Sequence, residues 1–460
     1  MKHHLQSMWK FVACAALVGV ADAWAAPAPP AWKVGVASGR ITPETNMWMA
    51  GYASRTNAST GVKQELFAKA LALEDDHGSK LVMVTLDLIG VPRSLRKNLE
   101  RRAQEAWQLP PESLLLNASH THSGPEFRVG RAPADDGEFK PTSLGQRYGA
   151  ALEEKLFRLI GAALSNRAPA RLIYSHARCG FAMNRRLPTE RGYQNSPNPD
   201  GPVDHDVPVL RAVGTNGQTR AILFGYSCHN TTLALYQFCG DYAGYAQEFL
   251  QAANPGTTAL FLNGCSGDQN PYPRGTFELA QQHGRTLATA VEAAMGVQRQ
   301  RELNGPLRAA IAEIDLDYSR PPSREEFQRR LGSKNQTEAQ HARRMLDRLD
   351  RDGELPGSYP YPVQVVHFGN ELILVALGGE VVVDYSLRLK KELAGPIVWI
   401  AGYSNDVMGY IPSRRVREEG GYEAEGAMLY SPTHPAPWAP SLEQRIVSKV
   451  HELHRRLKAE

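Results

Sequence analysis

Cysteine is scarce in this chain and is not spaced for a structural zinc cluster. Five cysteines occur in 460 residues. Cys14 lies in an N-terminal apolar run, and Cys179, Cys228, Cys239 and Cys265 contain no C-x-x-C pair. In an oxidising compartment those four would form up to two disulfides, in one of three pairings, or stay as buried thiols. Also missing are an internal repeat, a low-complexity tract after Pro30 and a second apolar segment long enough for a bilayer span. There is no basic stripe interleaved with aromatics, which argues against nucleic acid as a partner. A net charge of +4 names no other partner. What is present, 42% hydrophobic residues over this length, is material for a large buried core.

The first residues stand apart from the rest. Lys2 and Lys10 precede "FVACAALVGVA", and Ala23-Trp24-Ala25 offers a small-x-small cleavage site before "APAPP". The run is shorter than the roughly 20 residues that span a bilayer, so residues 1–25 are expected to be a cleaved signal peptide and the mature protein to be secreted or periplasmic.

Beyond this leader, strand-like and helix-like segments alternate. "KLVMVTLDLIG" (80–90) is a continuous apolar run, "SLRKNLERRAQEAW" (94–107) has helical spacing, and "SLLLNASH" (113–120) is a second run that ends in His120. The order recurs. Helical 144–164 precedes "RLIYSHARC", "TRAILFGYSCH" (219–229) ends in His229, and helical "AGYAQEFLQAA" precedes "TTALFLNGCSGD". A helix over 278–295 follows, then a hairpin turning at Gly369-Asn370, one more strand in "PIVWIAGYSND", and a basic amphipathic helix from 441 to the last residue. Residues 322–352, dense in charge, are expected to be a solvated helical excursion without chemistry. Helices between apolar strands predict an α/β fold, with mixed central sheets flanked by helices in one large catalytic domain spanning 26–460.

The chemistry-bearing residues collect at strand ends. In "NASHTHSGPE" (117–126), His120 and His122 are two apart, so in an extended segment both point to one side, and Ser-Gly-Pro then turns the chain away. His229 ends another strand, Glu380 follows Gly378-Gly379, and Tyr410 follows "GYSNDVMG". Open α/β sheets bind ligands at the carboxyl ends of their strands, and several nitrogen and oxygen donors meeting there suit a catalytic metal that keeps a position for water.

"SHTHSGP", "GDYAGYA" (240–246), "SGDQNP" (266–271), "GGE" (378–380) and "SNDVMGYIPS" (404–413), with "ITPETNMWMAGYASR" (41–55) at the start, together resemble the catalytic domain of the neutral/alkaline, non-lysosomal ceramidases. The likeness runs from about residue 33 to about residue 433. It implies a zinc amidohydrolase that splits the N-acyl bond of ceramide or a related N-acyl lipid. One Zn2+ would be held by His120, His229, Glu380 and Tyr410, with His122 beside the metal and substrate and Arg185 of "MNRRLP" near the reaction centre. Zinc would make a water nucleophilic near neutral pH and polarise the carbonyl. His122 would exchange the proton, and Tyr410 or Arg185 would stabilise developing charge.

Three departures from the family pattern bear on substrate. Asn270 of "GDQNPY" stands where the family usually has a serine close to the substrate head group. Glu126 and Phe127 follow "HSGP" where the family continues with small residues, and the carboxylate at Glu126 is expected to disfavour an anionic ligand and favour a polar or cationic one. The C-terminal immunoglobulin-like domain of the long ceramidases is not expected within this chain. Other readings of the same residues are a zinc deacylase or esterase for a carbohydrate or other non-lipid substrate, a lyase using Tyr410 or His122 as base, and a binding protein that keeps the metal without turnover. The expected partner is an N-acyl small molecule or lipid, with at most transient contact with a membrane surface.

Overall fold

Strands whose side chains are buried on both faces run through the centre of the protein. In the strand Lys80–Leu86, Leu81 and Met83 point to one apolar cluster and Val82, Val84 and Leu86 to another. The strands Phe67–Asp75, Leu114–Ala118, Thr219–Tyr226 and Thr258–Asn263 divide their residues the same way. The period of two is present, but both sets are apolar, so the sequence reads as continuous hydrophobic runs. The computed structural model describes residues 31–128, 144–393 and 395–459. The expected leader, 1–25, lies outside them.

Two sheets pack face to face. A nine-stranded mixed sheet and a four-stranded sheet enclose a shared core in which Leu73, Leu81, Leu115, Leu223 and Leu260 meet Phe368, Leu374 and Trp399. The outer face of the large sheet is covered by the helices Arg93–Trp107, Leu144–Ser165, Asp241–Ala253 and Phe277–Gly296. The outer face of the small sheet is covered by Val383–Glu392 and Leu442–Ala459. The result is helix, sheet, sheet, helix: the mixed α/β class expected, with two stacked central sheets. No helix among the described residues is long and apolar enough to cross a membrane.

Most strand pairs are antiparallel, and the parallel ones matter for function. Lys80–Leu86 runs parallel to Leu114–Ala118 with the helix Arg93–Trp107 between them in sequence, and Thr219–Tyr226 runs parallel to Thr258–Asn263 across Asp241–Ala253. In the small sheet Leu372–Leu377 runs parallel to Ile397–Ala401 across Val383–Glu392. Each is a strand–helix–strand unit, because a parallel return needs a crossover of this length. The large sheet also curls until its two edge strands meet. The Asn117 side chain donates to Asn263 O (3.3 Å), Gly402 O (2.8 Å) and Ser404 Oγ (3.1 Å), and its Oδ1 accepts Asn263 N–H (2.9 Å). One buried amide thereby fastens the carboxyl ends of all three parallel units to a common point.

Candidate metal centre

Each parallel unit delivers donors to that point. The chain leaves Leu114–Ala118 and reaches His120, which adopts φ +64°, a left-handed conformation held by its N–H donating to Leu88 O (3.0 Å). His229 follows Thr219–Tyr226, with its N–H donating to Gln269 O (2.9 Å). Glu380 follows Leu372–Leu377 and pairs in a two-residue parallel ladder with Tyr410, which lies beyond Ile397–Ala401.

Two imidazoles have a fixed orientation. His120 Nδ1 lies 2.6 Å from Ile89 O and His229 Nδ1 lies 2.5 Å from Ser266 O. A carbonyl only accepts, so both Nδ1 atoms carry the proton and both Nε2 atoms present lone pairs. Those lone pairs face Glu380 Oε2 at 3.2 Å from His120 and 3.3 Å from His229, and Tyr410 Oη is 3.3 Å from His229 Nε2. Glu380 Oε2 is buried with no hydrogen-bond donor. Acceptors crowd together here, an arrangement that repels itself unless a cation sits among them.

Three observations favour a metal as that cation. Burial, followed by the charge of Arg185, pushes His229 down to about 4, so a proton is not held there at neutral pH. Burial alone would raise Glu380, yet its pairing with His120 and then His229 outweighs burial and holds the carboxyl well below its usual value, so an anion stands among those lone pairs. Finally, donors placed tetrahedrally at roughly 2.0–2.1 Å from an ion sit roughly 3.3 Å from one another, which is the spacing found. The donor atoms of His120, His122 and His229 all lie within 4.8 Å of one another, so the histidine triad could hold a metal ion.

His122 differs from the other two. Its Nε2 is 3.1 Å from His120 Nε2, but its buried Nδ1 has no partner, so no carbonyl selects its tautomer. Burial, then His120 and His229, push its pKa well below 6.5, which leaves it neutral. The ring is held by Tyr52, edge-on at 4.8 Å, and by Gly51, where a Cβ would come within 2.4 Å of the imidazole. Arg55 donates to His122 O (2.7 Å) and closes this cradle.

Arg185 is buried and donates to Tyr410 Oη (2.9 Å), Asn270 Oδ1 (3.2 Å) and Glu423 (2.8 Å), and one N–H lies 3.3 Å from His229 Nε2. The Asn270 carbonyl oxygen also accepts from Thr231 (3.2 Å). His120, His122, His229, Glu380, Tyr410, Arg185 and Asn270 therefore form one connected group.

Glu126 lines the adjoining cavity, but its carboxylate receives Arg128 Nε at 2.9 Å and NH2 at 2.6 Å. Its charge is cancelled, so the expected bias against anions is corrected. The charged excursion is helical as expected, in Arg324–Arg330 and Gln336–Asp352, and the second of these also lines the same cavity. All four cysteines are buried free thiols.

Several participants escaped sequence reading. Tyr52, Gly51 and Arg55 lie within the quoted N-terminal segment, which was their available signal. Tyr403, buried with its ring 4.5 Å from that of His120, lies in the quoted "GYSNDVMG" before Tyr410, whereas Glu423 lies in no quoted stretch and carried no signal.

The architecture and the donor set define a mixed α/β protein with a buried nitrogen–oxygen donor cluster, able to hold a metal ion, at the carboxyl ends of parallel strands. Residues 32–307 match the family described as neutral/alkaline non-lysosomal ceramidase, N-terminal. The chain belongs to this family. It is 26% identical over 330 residues to the neutral ceramidase of Pseudomonas aeruginosa, covering 64% of this chain and 46% of that protein. Neutral ceramidase A of Dictyostelium discoideum is 25% identical over 257 residues, covering 50% and 34%. The matches thus span less than half of those relatives. The crystal structure of the Pseudomonas aeruginosa neutral ceramidase shares the fold, with a TM-score of 0.71 at 21% identity over 93% of this chain and 75% of that one. A ceramidase complexed with C2 also superposes with a TM-score of 0.71, at 20% identity.

Proposed function

We propose that the protein is a secreted, zinc-dependent amidohydrolase that cleaves the N-acyl bond of a lipid amide, ceramide or a relative of it. The observation that carries this reading is the convergence of two oriented imidazole lone pairs and one donor-less buried carboxylate oxygen on a common point. His120, His229, Glu380 and Tyr410 would hold the ion, and a mixed nitrogen–oxygen set at tetrahedral spacing suits zinc. When bound, such an ion acidifies a water and polarises a carbonyl.

The chain's own residues do the rest. Neutral His122 accepts a proton from the attacking water and passes it to the departing amine nitrogen, and the acid proton released as the acyl product ionises goes to the amine, so that amide and water become carboxylate and ammonium. Arg185, fixed by Glu423, keeps its positive charge turned toward Tyr410 Oη and favours negative charge there as it develops. Asn270 reaches the group through Arg185 and adds a polar side chain at its edge.

N-acyl-sphingosine hydrolysis by the mature protein, with and without chelator and beside a His120→Ala variant, tests the reading. Activity lost in both cases, with metal content falling in the variant, is expected. Turnover that survives both chelation and substitution overturns it. Secretion is tested separately, by N-terminal sequencing of the exported protein for cleavage after Ala25.

A further inference from the structure

The cavity in front of the histidines measures about 690 Å3, and one of its walls is the helix Gln336–Asp352. Gln336, Thr337, Gln340 and Arg344 line it. Their spacing puts Gln336, Gln340 and Arg344 on one stripe of the helix, with Thr337 beside it. This wall is polar, where a groove shaped for hydrocarbon chains alone would be apolar.

The charges around the cavity do not all cancel. Arg128 and Glu126 neutralise each other through two hydrogen bonds. Arg55 is occupied by the carbonyls of Ala50, His122 and Leu235. Glu380 belongs to the donor cluster. Arg344 is less fully occupied: its guanidinium donates to a single carbonyl, Leu429 O (2.8 Å), and no carboxylate among the described residues lies within ion-pair distance of it. Burial lowers its pKa and no acid opposes the shift. A half-buried, always-charged guanidinium facing a substrate-sized cavity is an anion receptor in want of its anion.

We infer that Arg344 binds an anionic group of the substrate, so that the preferred N-acyl amide carries a carboxylate, sulfate or phosphate, with Thr337 and Gln340 as hydrogen-bonding neighbours. Trp48, Met49, Ile89, Met408 and Met428 give the same cavity an apolar lining for the acyl chain. This rests on the amidohydrolase reading and narrows it. The competing role for Arg344 is to pin the segment 426–430 through Leu429 O.

Hydrolysis-resistant urea analogues separate the two roles and leave the amidohydrolase question to the turnover assay. Two matched pairs are compared by calorimetry on the full chain with its metal. One pairs a dodecyl urea ending in a carboxymethyl group with its neutral hydroxyethyl counterpart, and the other has the same end groups on a six-carbon spacer. In at least one pair the anionic member should bind about tenfold more tightly, the scale of one charge-assisted contact, and Arg344→Met should erase that ratio. Arg343→Gln, which removes an exposed charge from the same helix outside the cavity, should keep it. Equal or undetectable binding within both pairs by the wild-type protein, or a preference that persists in Arg344→Met, overturns the inference.

Discussion

Glu423 is a buried carboxylate shared by two adjacent buried arginines, and replacing it with the isosteric Gln isolates its charge. It accepts from Arg185 Nε at 2.8 Å and Arg186 NH1 at 2.7 Å, with every partner side chain at most 6% exposed. Breaking a buried ion pair typically costs about 3–5 kcal/mol, because a charge is left without compensation. Arg186 keeps Glu419 at 3.1 Å and the Gly420 carbonyl at 2.8 Å, and Arg185 keeps Tyr410 and Asn270. The lower end applies, so Glu423→Gln should lose about 3 kcal/mol. The loss also has a pH signature. Burial would raise the Glu423 pKa, but Arg185 and then Arg186 outweigh it and hold it below 4.5. A carboxyl depressed in the folded state stabilises above its unfolded pKa, and that contribution disappears as pH falls through the folded value. Urea denaturation should therefore show the full gap between wild type and variant near pH 7 and a narrowing gap below about 4.5. A gap under about 1 kcal/mol at pH 7, or one that widens in acid, would refute the reasoning.

Gly51→Ala should depress turnover at least about 100-fold while metal content measured by atomic absorption stays at wild-type level, because the new Cβ strikes the His122 ring, outside the proposed ligand set. Loss of metal along with activity would place His122 among the ligands instead. Asn117→Ala should cost about 3 kcal/mol or more in a denaturation assay, since it orphans buried groups on Asn263, Gly402 and Ser404; a change under about 1 kcal/mol would show that the sheet edges hold together without it. Burial pushes Asp268 up to about 7, so between its unfolded pKa near 4 and that value the folded state retains a proton that the unfolded state releases, and stability falls as pH rises. Asp268→Asn should flatten that part of the stability–pH curve; an unchanged slope counts against the assignment.

Local burial was legible in the sequence, and long-range polar pairing was not. The parallel strands announced themselves as continuous apolar runs because both faces are covered, and strand ends in turn marked His120, His229 and Glu380 as neighbours. Tyr410 was reached by its position in a motif. Nothing in the periodicity around Asn117 reveals that its amide bridges to residues 146 and 285 positions away. Glu126 illustrates a different failure: a carboxylate read alone implies a field, while the same carboxylate with Arg128 two residues on implies almost none. The charged stretch 322–352 hid its contribution because only one stripe of the helix Gln336–Asp352 faces the cavity, and composition averages over all of them.

The arrangement also explains why the donor cluster and the cavity wall can differ in how freely they change. The proposed ligands sit at the ends of three parallel units fastened together by Asn117, and His120 adopts a left-handed backbone that the surrounding sheet must enforce. Their backbone positions are set by both stacked sheets at once. The helix Gln336–Asp352 instead has its own small apolar cluster, Phe327, Ala342, Met345 and Leu346, and reaches the body through His341, Arg344 and Arg348 donating to carbonyls of 429–434. The side chains of its cavity-facing stripe belong to neither that cluster nor the sheets, and of them Arg344 alone is also one of these tethers. On the proposed function, reaction type would belong to the rigid strand ends and substrate selection to a separately packed helix, which makes residues on that helix the place where a change in preference would cost the fold least.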